Sequence, residues 1–571
     1  MLLEFGLTLL LFLALAFGPA WPVAARLALD PAEKLCASVV LSLLAVYLVA
    51  FAIYLLGLPV AAFWVLPALG VTGFVAGHRT LFATARDPDA RGLLTGQLLV
   101  TGWCVGGLWL VASYSGGGWT SDWFEHWERT RFFLDRWPLD TKFLGFGALP
   151  ARPPLANLVT GALLAVTRED FAHYQLFTTL LNSLAFLPAA LLARRFHQRL
   201  GGGPAGARAA VAGLAVLLMC NPSFVENATF AWTKLIAVGF VLSGLYFFLR
   251  ARDADAPPAA GTLCAAGLAA GLLAHYSAGP YVVLLAIAWF GLSHGRGRDA
   301  SFWRQTAQLG LVGGVILATW FGWSLKVYGP HTTLFSNSSV AVKDAQSGNQ
   351  LLKIALNLRD TIVPHFLRQV DPALLAEGSP WSHARDWWFQ LYQVNLPFVF
   401  GSVAGLALAA KLWRDRRAAP PQTVGFWVWF AGGAILLGVA AHGARDHWGV
   451  AHVCLQALGV LGLAYLAARW ASLGRGWQRA LLAGAAVDFC LGIALQFAAQ
   501  SQTPDLAIAL GRAPAGALPL YNDYAVMNLA GKLVHGLAFF RDALVLPAPV
   551  GPAFLAGLLV LALARLRPAT K

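Results

Sequence analysis

Charge is what this chain has least of. Only 12% of its residues are Asp, Glu, Lys or Arg, about half the ~25% of a soluble globular chain. With 58% hydrophobic residues and a mean hydropathy of +0.63, 571 residues cannot be packed as an ordinary soluble domain. Cysteine is also scarce. Cys36, Cys104, Cys220, Cys264, Cys454 and Cys490 lie in or at the edge of apolar runs. None has the spacing of a disulfide framework or a metal site, so each reads as a small buried hydrophobe. A Walker loop and a strand-linked GxGxxG are missing, which argues against a nucleotide ligand. The N-terminus lacks the basic start of a signal peptide: Glu4 stands there, and the first basic residue is Arg26. Residues 2–20 therefore read as a retained span with its N-terminus outside. No internal repeat is visible.

What is present is a series of apolar runs long enough to cross a bilayer, at roughly 17–25 residues each. They fall near 2–20, 36–57, 59–77, 92–113, 174–193, 209–226, 229–249, 307–328, 391–410, 423–441, 450–468, 480–499 and 549–566. Two shorter runs, 262–276 and 279–292, flank a break at Gly279-Pro280. The basic residues test the count. Eight segments near 26–34, 79–91, 194–208, 250–255, 296–304, 411–417, 469–479 and 565–571 carry 24 Lys/Arg against 8 Asp/Glu; the remainder carries 17 against 19. All eight land on one side under strict alternation. The net charge of +14 is thus the positive-inside rule at work, and it implies no nucleic-acid partner.

The fold class expected is all-α: a polytopic membrane protein of about 15 transmembrane helices with its C-terminus in the cytoplasm. It divides into N-terminal helices (1–113), a first extracytoplasmic loop (114–173), central helices (174–328), a second loop (329–390), C-terminal helices (391–499), a third loop (500–548), and a last helix with a cytoplasmic tail (549–571). Residues 155–166 are too short to span comfortably and read as re-entrant or interfacial.

The first of those loops concentrates polar chemistry. Asp122, Glu125 and Glu128 are spaced by three, so a helix would put all three carboxylates along one face. Trp123, Phe124, Trp127, Phe132 and Phe133 would form an opposite face suited to the membrane interface. By spacing alone, this fits a solvated interfacial helix as well as it fits a reactive one.

An acidic motif in the first large outer loop, followed by Arg152-Pro153-Pro154-Leu155 opening the next apolar segment, resembles the GT-C superfamily of membrane glycosyltransferases. The similarity is greatest to the branch holding protein O-mannosyltransferases and lipid A aminoarabinose transferases. Asn221-Pro222 through Trp232-Thr233-Lys234 resembles the helix pair after that turn. Trp323 to Gly329, then Thr333 to Ser339, resembles the exit into a later outer loop. The likeness covers roughly 92–460; the first three spans have no counterpart, because the acidic loop of that family usually follows the first span.

The resemblance implies an inverting glycosyltransferase that moves a hexosyl or pentosyl group from a polyprenyl-phosphate donor to a hydroxyl of a lipid, glycan or protein acceptor. The reaction would take place on the outer face of a bacterial inner membrane, in contact with membrane lipids and facing the periplasm. By position, Asp122 is the implied general base and Glu125 the second choice. The leaving phosphate needs cations that stay charged. Arg445, flanked by His442 and His447, could grip it bidentately; Lys326, Arg152 and Lys234 are further candidates. Each has a plainer role: Arg445 and Asp446 could anchor a turn, Lys326 could snorkel, Arg152 could fix its turn, and Lys234 could pair with Glu226. No cofactor is expected, although a divalent metal among Asp122, Glu125 and His126 remains open. The rivals are a multi-span transporter or lipid-linked-glycan flippase, favoured by the Gly279-Pro280 break, and a polymerase or O-antigen-ligase-like enzyme. A transporter would gather polar groups at the bilayer midplane, whereas here they crowd the outer loops.

Overall fold

Long apolar runs satisfy their backbone only as helices when water is excluded. A computed structural model describes residues 2–108, 120–143, 145, 147–292, 299–337, 349–368, 387, 390–417, 421–450, 455–494 and 550–565. Among these residues the regular structure is helical, apart from one isolated bridge between Phe143 and Gly147. The third outer loop at 500–548, half of the second, and the tail beyond Arg565 lie outside the described residues.

Each predicted apolar run contains helix where it is described. Among the described residues, four helices are long and apolar enough to cross a membrane, or six if two sharply bent pairs each count as one. One bent pair, Pro204–Cys220 with Pro222–Thr229, turns by 72° at Asn221. That side chain caps the second helix by accepting from the Phe224 amide at 2.7 Å. The helix Ala300–Phe335 breaks where Gly329 takes φ 75°, ψ 169°, just before Pro330, a backbone state that favours glycine. Ser324 and Thr333 hydroxyls meet across that kink at 2.8 Å. Residues 155–166 prove helical over Leu155–Ala165, and their side chains are buried within the protein.

Four of the eight basic segments predicted to share one side are joined to one another by ion pairs. Arg194 pairs with Asp30 and Asp89, Arg208 with Asp89, Arg250 with Glu33, and Arg195 and Arg199 with Asp253. Segments predicted to lie opposite meet one another instead. Arg136 donates to the Ile53 and Leu58 carbonyls, Tyr328 to Leu139, and Glu4 pairs with Arg168.

Helices Leu2–Phe17 and Val65–Ala76 touch backbone to backbone. A Cβ on Gly70 would lie 2.4 Å from the Ala14 carbonyl oxygen, and one on Gly73 would lie 2.0 Å from that of Gly18. Small residues permit this approach in membrane helices. Gly70→Val should therefore cost about 1–3 kcal/mol through overpacking. A lowered thermal midpoint of the detergent-solubilised protein would show it, and an unchanged midpoint would refute this packing.

Candidate active site

Glu125 and Arg129 are one helical turn apart on the helix Thr120–Asp135, the spacing at which side chains meet. Both Arg129 Nε (3.1 Å) and Nη2 (2.6 Å) reach Glu125 Oε1. Arg129 is fully buried. Its Nη1 donates to the Leu149 carbonyl at 2.6 Å and its Nη2 to Ala148 at 2.9 Å. The guanidinium also sits 4.3 Å from the Phe143 ring centroid. The acid helix is thereby pinned to the turn Leu149–Ala151, which delivers Arg152.

Arg152 returns across the same face. Its Nε lies 3.2 Å from Glu125 Oε2 and its Nη2 lies 3.4 Å from Asp122 Oδ1. Tyr276 fixes the turn from the far side, its hydroxyl donating to the Pro150 carbonyl at 2.8 Å. The helix interruption before Gly279-Pro280 therefore meets this site through the turn Tyr276–Ala278, which carries that hydroxyl. Lys234 opens the helix Lys234–Arg250. It is buried, lies over the Trp232 ring at 3.4 Å, and is near enough to Asp122 for its charge to act on that carboxyl.

The carboxyls differ in environment. Burial raises the Asp122 pKa, and Arg152 and Lys234 only partly oppose this, so it stays above its ordinary value. Burial also raises Glu125, but Arg152 and Arg129 outweigh it and hold that carboxyl at about 2. Asp122 has the more open side chain, 18% exposed against 9%. Glu128 is only half-buried. Burial, then Arg152, lowers His126 to about 3, so its ring is neutral. Its Nδ1 faces Asn157 Oδ1 at 3.3 Å and its Nε2 faces Thr233 Oγ1 at 3.4 Å. A neutral ring fits both contacts by donating from Nδ1 and accepting at Nε2. It ties the acid helix to the loop that carries Lys234.

This geometry does not fit a divalent ion. Glu125 is committed to two guanidiniums and both His126 nitrogens face away from the acids. Among the described residues no group of three or more His, Cys, Asp or Glu could hold a metal. Three of the five aromatic residues behave differently from expectation, and the side chains of Trp123 and Phe124 lie outside what is described. Trp127, Phe132 and Phe133 are buried in the protein, against Phe171 and Tyr174 in one case and against Tyr54 in the others.

Of the residues expected at the site, Asp122, Glu125, Arg152 and Lys234 come together. Arg445, His442 and His447 lie in a different cluster. Arg445 Nε is 3.3 Å from Asp360 Oδ2, His442 accepts through its carbonyl from Lys353 at 2.7 Å, and the His447 carbonyl accepts from Arg368. Lys326 is exposed on the helix Ala300–Phe335. Sequence reasoning missed Arg129, although its i+4 spacing from Glu125 was legible. It also missed the roles of Asn157, Thr233 and Tyr276, which no local pattern marks.

No protein-family model matches the sequence, and no curated protein matches it. Among solved structures, the chain is similar to ArnT from Cupriavidus metallidurans bound to undecaprenyl phosphate. That likeness has 15% identity and a TM-score of 0.46, covering 84% of this chain and 76% of that one. It is similar also to the same protein in the apo state, at 18% identity and a TM-score of 0.41, covering 81% and 74%. At that level of likeness the site has to be read from its own residues.

Two outcomes follow from the geometry. Arg129→Met leaves Glu125 with a single guanidinium and frees two carbonyls, so it should cost about 3–5 kcal/mol; thermal unfolding in detergent measures it. The second concerns acid. His126 takes up a proton near pH 6.5 when unfolded but only near 3 when folded. Stability therefore falls as pH drops from 6.5 towards 3, by about 1.4 kcal/mol per pH unit for one such group. Glu125 adds loss below about 4.5, its own ordinary value. His126→Gln should flatten the fall between pH 6.5 and 5. An equally steep fall in that variant would mean the ring is not buried in neutral form.

Proposed function

We propose that this protein is a membrane glycosyltransferase that moves a sugar from a polyprenyl-phosphate donor to an acceptor hydroxyl on the extracytoplasmic side. The observation that carries this reading is one carboxylate and two cations on a single buried face: Asp122, Arg152 and Lys234. The reading takes them to stand on the side opposite the basic segments, which the positive-inside rule assigns to the cytoplasm.

The roles follow from the environments. Glu125 is bound by Arg129 and Arg152 and held far below neutrality, so it makes a poor base and a good anchor. Asp122 has the raised affinity for protons and the greater exposure, which suit a general base. Two carboxyls pushed apart in this way divide the labour between them. Arg152 and Lys234 supply fixed positive charge for the departing phosphate.

In the step proposed, the acceptor oxygen attacks the anomeric carbon from the face opposite the phosphate. The carbon–oxygen bond to phosphate breaks, and its electron pair leaves on the phosphate. The acceptor proton passes to Asp122. The anomeric centre inverts. Arg445, His442, His447 and Lys326 are not needed for this step; the sequence expectation that they touch the donor phosphate stands apart from it.

Asp122→Asn should lower transfer by about 100- to 10,000-fold, the range for loss of a positioned base, with its thermal midpoint unchanged or raised. The measurement is transfer by purified full-length protein from a panel of polyprenyl-phosphate hexoses and pentoses. A fully active, folded Asp122→Asn variant would remove Asp122 as the base.

A further inference from the structure

The second cluster is built around Asp360, which is fully buried. It lies near the end of the helix Gln350–Ile362, and three guanidiniums converge on it. Arg359 Nη2 is 2.7 Å and Arg368 Nη1 is 3.2 Å from Oδ1, while Arg445 Nε is 3.3 Å from Oδ2. One carboxylate thus meets three positive charges.

The three arginines are not equivalent. Arg368 is nearly buried and is spent on structure: besides Asp360, it donates to the carbonyls of Val363, Asp360, His447 and Trp448. It ties the 442–449 turn to the helix, and Asn357 completes the tie by donating to the Ala444 carbonyl at 2.9 Å and accepting from the Asp446 amide at 2.9 Å. Arg359 gives one edge of its guanidinium, Nε and Nη2, to Asp360, and Arg445 gives its Nε. The N–H groups not given to Asp360 belong to side chains that remain 49% and 32% exposed. Asp446 accepts from the Trp448 amide at 3.0 Å, and burial raises its carboxyl above the ordinary range.

A carboxylate that orients two guanidiniums and leaves their side chains partly exposed is a fixed fork for a tetrahedral oxyanion. We propose that Arg359 and Arg445, oriented by Asp360, form a second anion site that takes a phosphate monoester or diester, separate from Arg152 and Lys234. It stands whether or not sugar transfer is the reaction. The group could be a lipid headgroup at the outer membrane surface or a soluble phosphate, and the same chemistry would recognise both.

The test is ligand-dependent thermal stabilisation of the purified full-length protein in zwitterionic detergent. The probes are inorganic phosphate, phosphatidylglycerol and phosphatidic acid, each titrated separately. At least one should stabilise the wild type, with an apparent affinity that weakens as salt rises. The variant is Arg359→Gln with Arg445→Gln; it leaves Arg368 on Asp360, so the buried carboxylate stays paired. It should weaken that binding at least tenfold, while Arg152→Gln leaves it intact. Saturation by inorganic phosphate alone would identify a soluble-phosphate site; stabilisation only by the lipids would identify a headgroup site. No stabilisation by any probe, binding unchanged in the double variant, or binding lost instead in Arg152→Gln would each overturn the proposal.

Discussion

The Glu125–Arg129 pair is the constraint on which the site depends. A buried ion pair is costly to desolvate and gains little unless its remaining hydrogen-bonding groups are also satisfied. Here they are. Arg129 divides its donors between Glu125 and the carbonyls of Ala148 and Leu149, with a ring beneath it. The outcome is geometric as much as energetic. One side chain joins the acid helix to the turn before Arg152, and Arg152 then reaches both Glu125 and Asp122. With Glu125 engaged by two arginines, Asp122 is the carboxyl left with protonation within reach.

The Asp360 cluster uses the same device. In each place a buried carboxylate holds several arginines, and the arginines divide by role. Arg129 and Arg368 are exhausted on main-chain carbonyls and fix the fold locally. Arg152 and Arg445 are held by fewer contacts. Fixing one arginine with another group's carbonyls keeps the carboxylate in place, so the less committed arginine is presented in a defined direction. This is preorganisation: the cost of orienting the cation is met in folding rather than when a ligand arrives.

Much of this was legible in one sequence. Periodicity and apolar length marked the helices, and charge asymmetry marked which loops share an end; the Arg194–Asp30, Arg250–Glu33 and Arg195–Asp253 pairs join segments that alternation alone had put together. The i, i+3 spacing of Asp122 and Glu125 put both on one face, and Arg152 and Lys234 were named with them. What local patterns did not carry was partner choice over long separations. Nothing near His126 announces Asn157, and nothing near Arg445 announces Asp360. The aromatic residues of the acid helix misled for a related reason. Trp127, Phe132 and Phe133 have the composition of an interfacial face, but Tyr54, Phe171 and Tyr174 arrive from distant segments and bury them. Composition reports what a surface could face, while topology decides what it does face.

Charge counting gives the site a further logic. Asp122 and Glu125 carry two negative charges; Arg129, Arg152 and Lys234 carry three positive ones; His126 is neutral. These five charged groups sum to one positive charge. A sugar joined to polyprenyl phosphate is a phosphodiester with one negative charge, so the proposed donor complex is neutral. Transfer releases a phosphate monoester, which carries close to two negative charges once fully ionised. The acceptor's proton, now on Asp122, raises the site to two positive charges, and the product complex is neutral as well. In a buried site of low effective dielectric, uncompensated charge is expensive. A base that takes the proton within the same cluster as the phosphate grip keeps the balance through the step. Had Glu125 been the base, its protonation would have broken the pairs that hold Arg129 and Arg152 in place. In the proposed step, the division between the two acids lets the proton move while the scaffold stays charged and fixed.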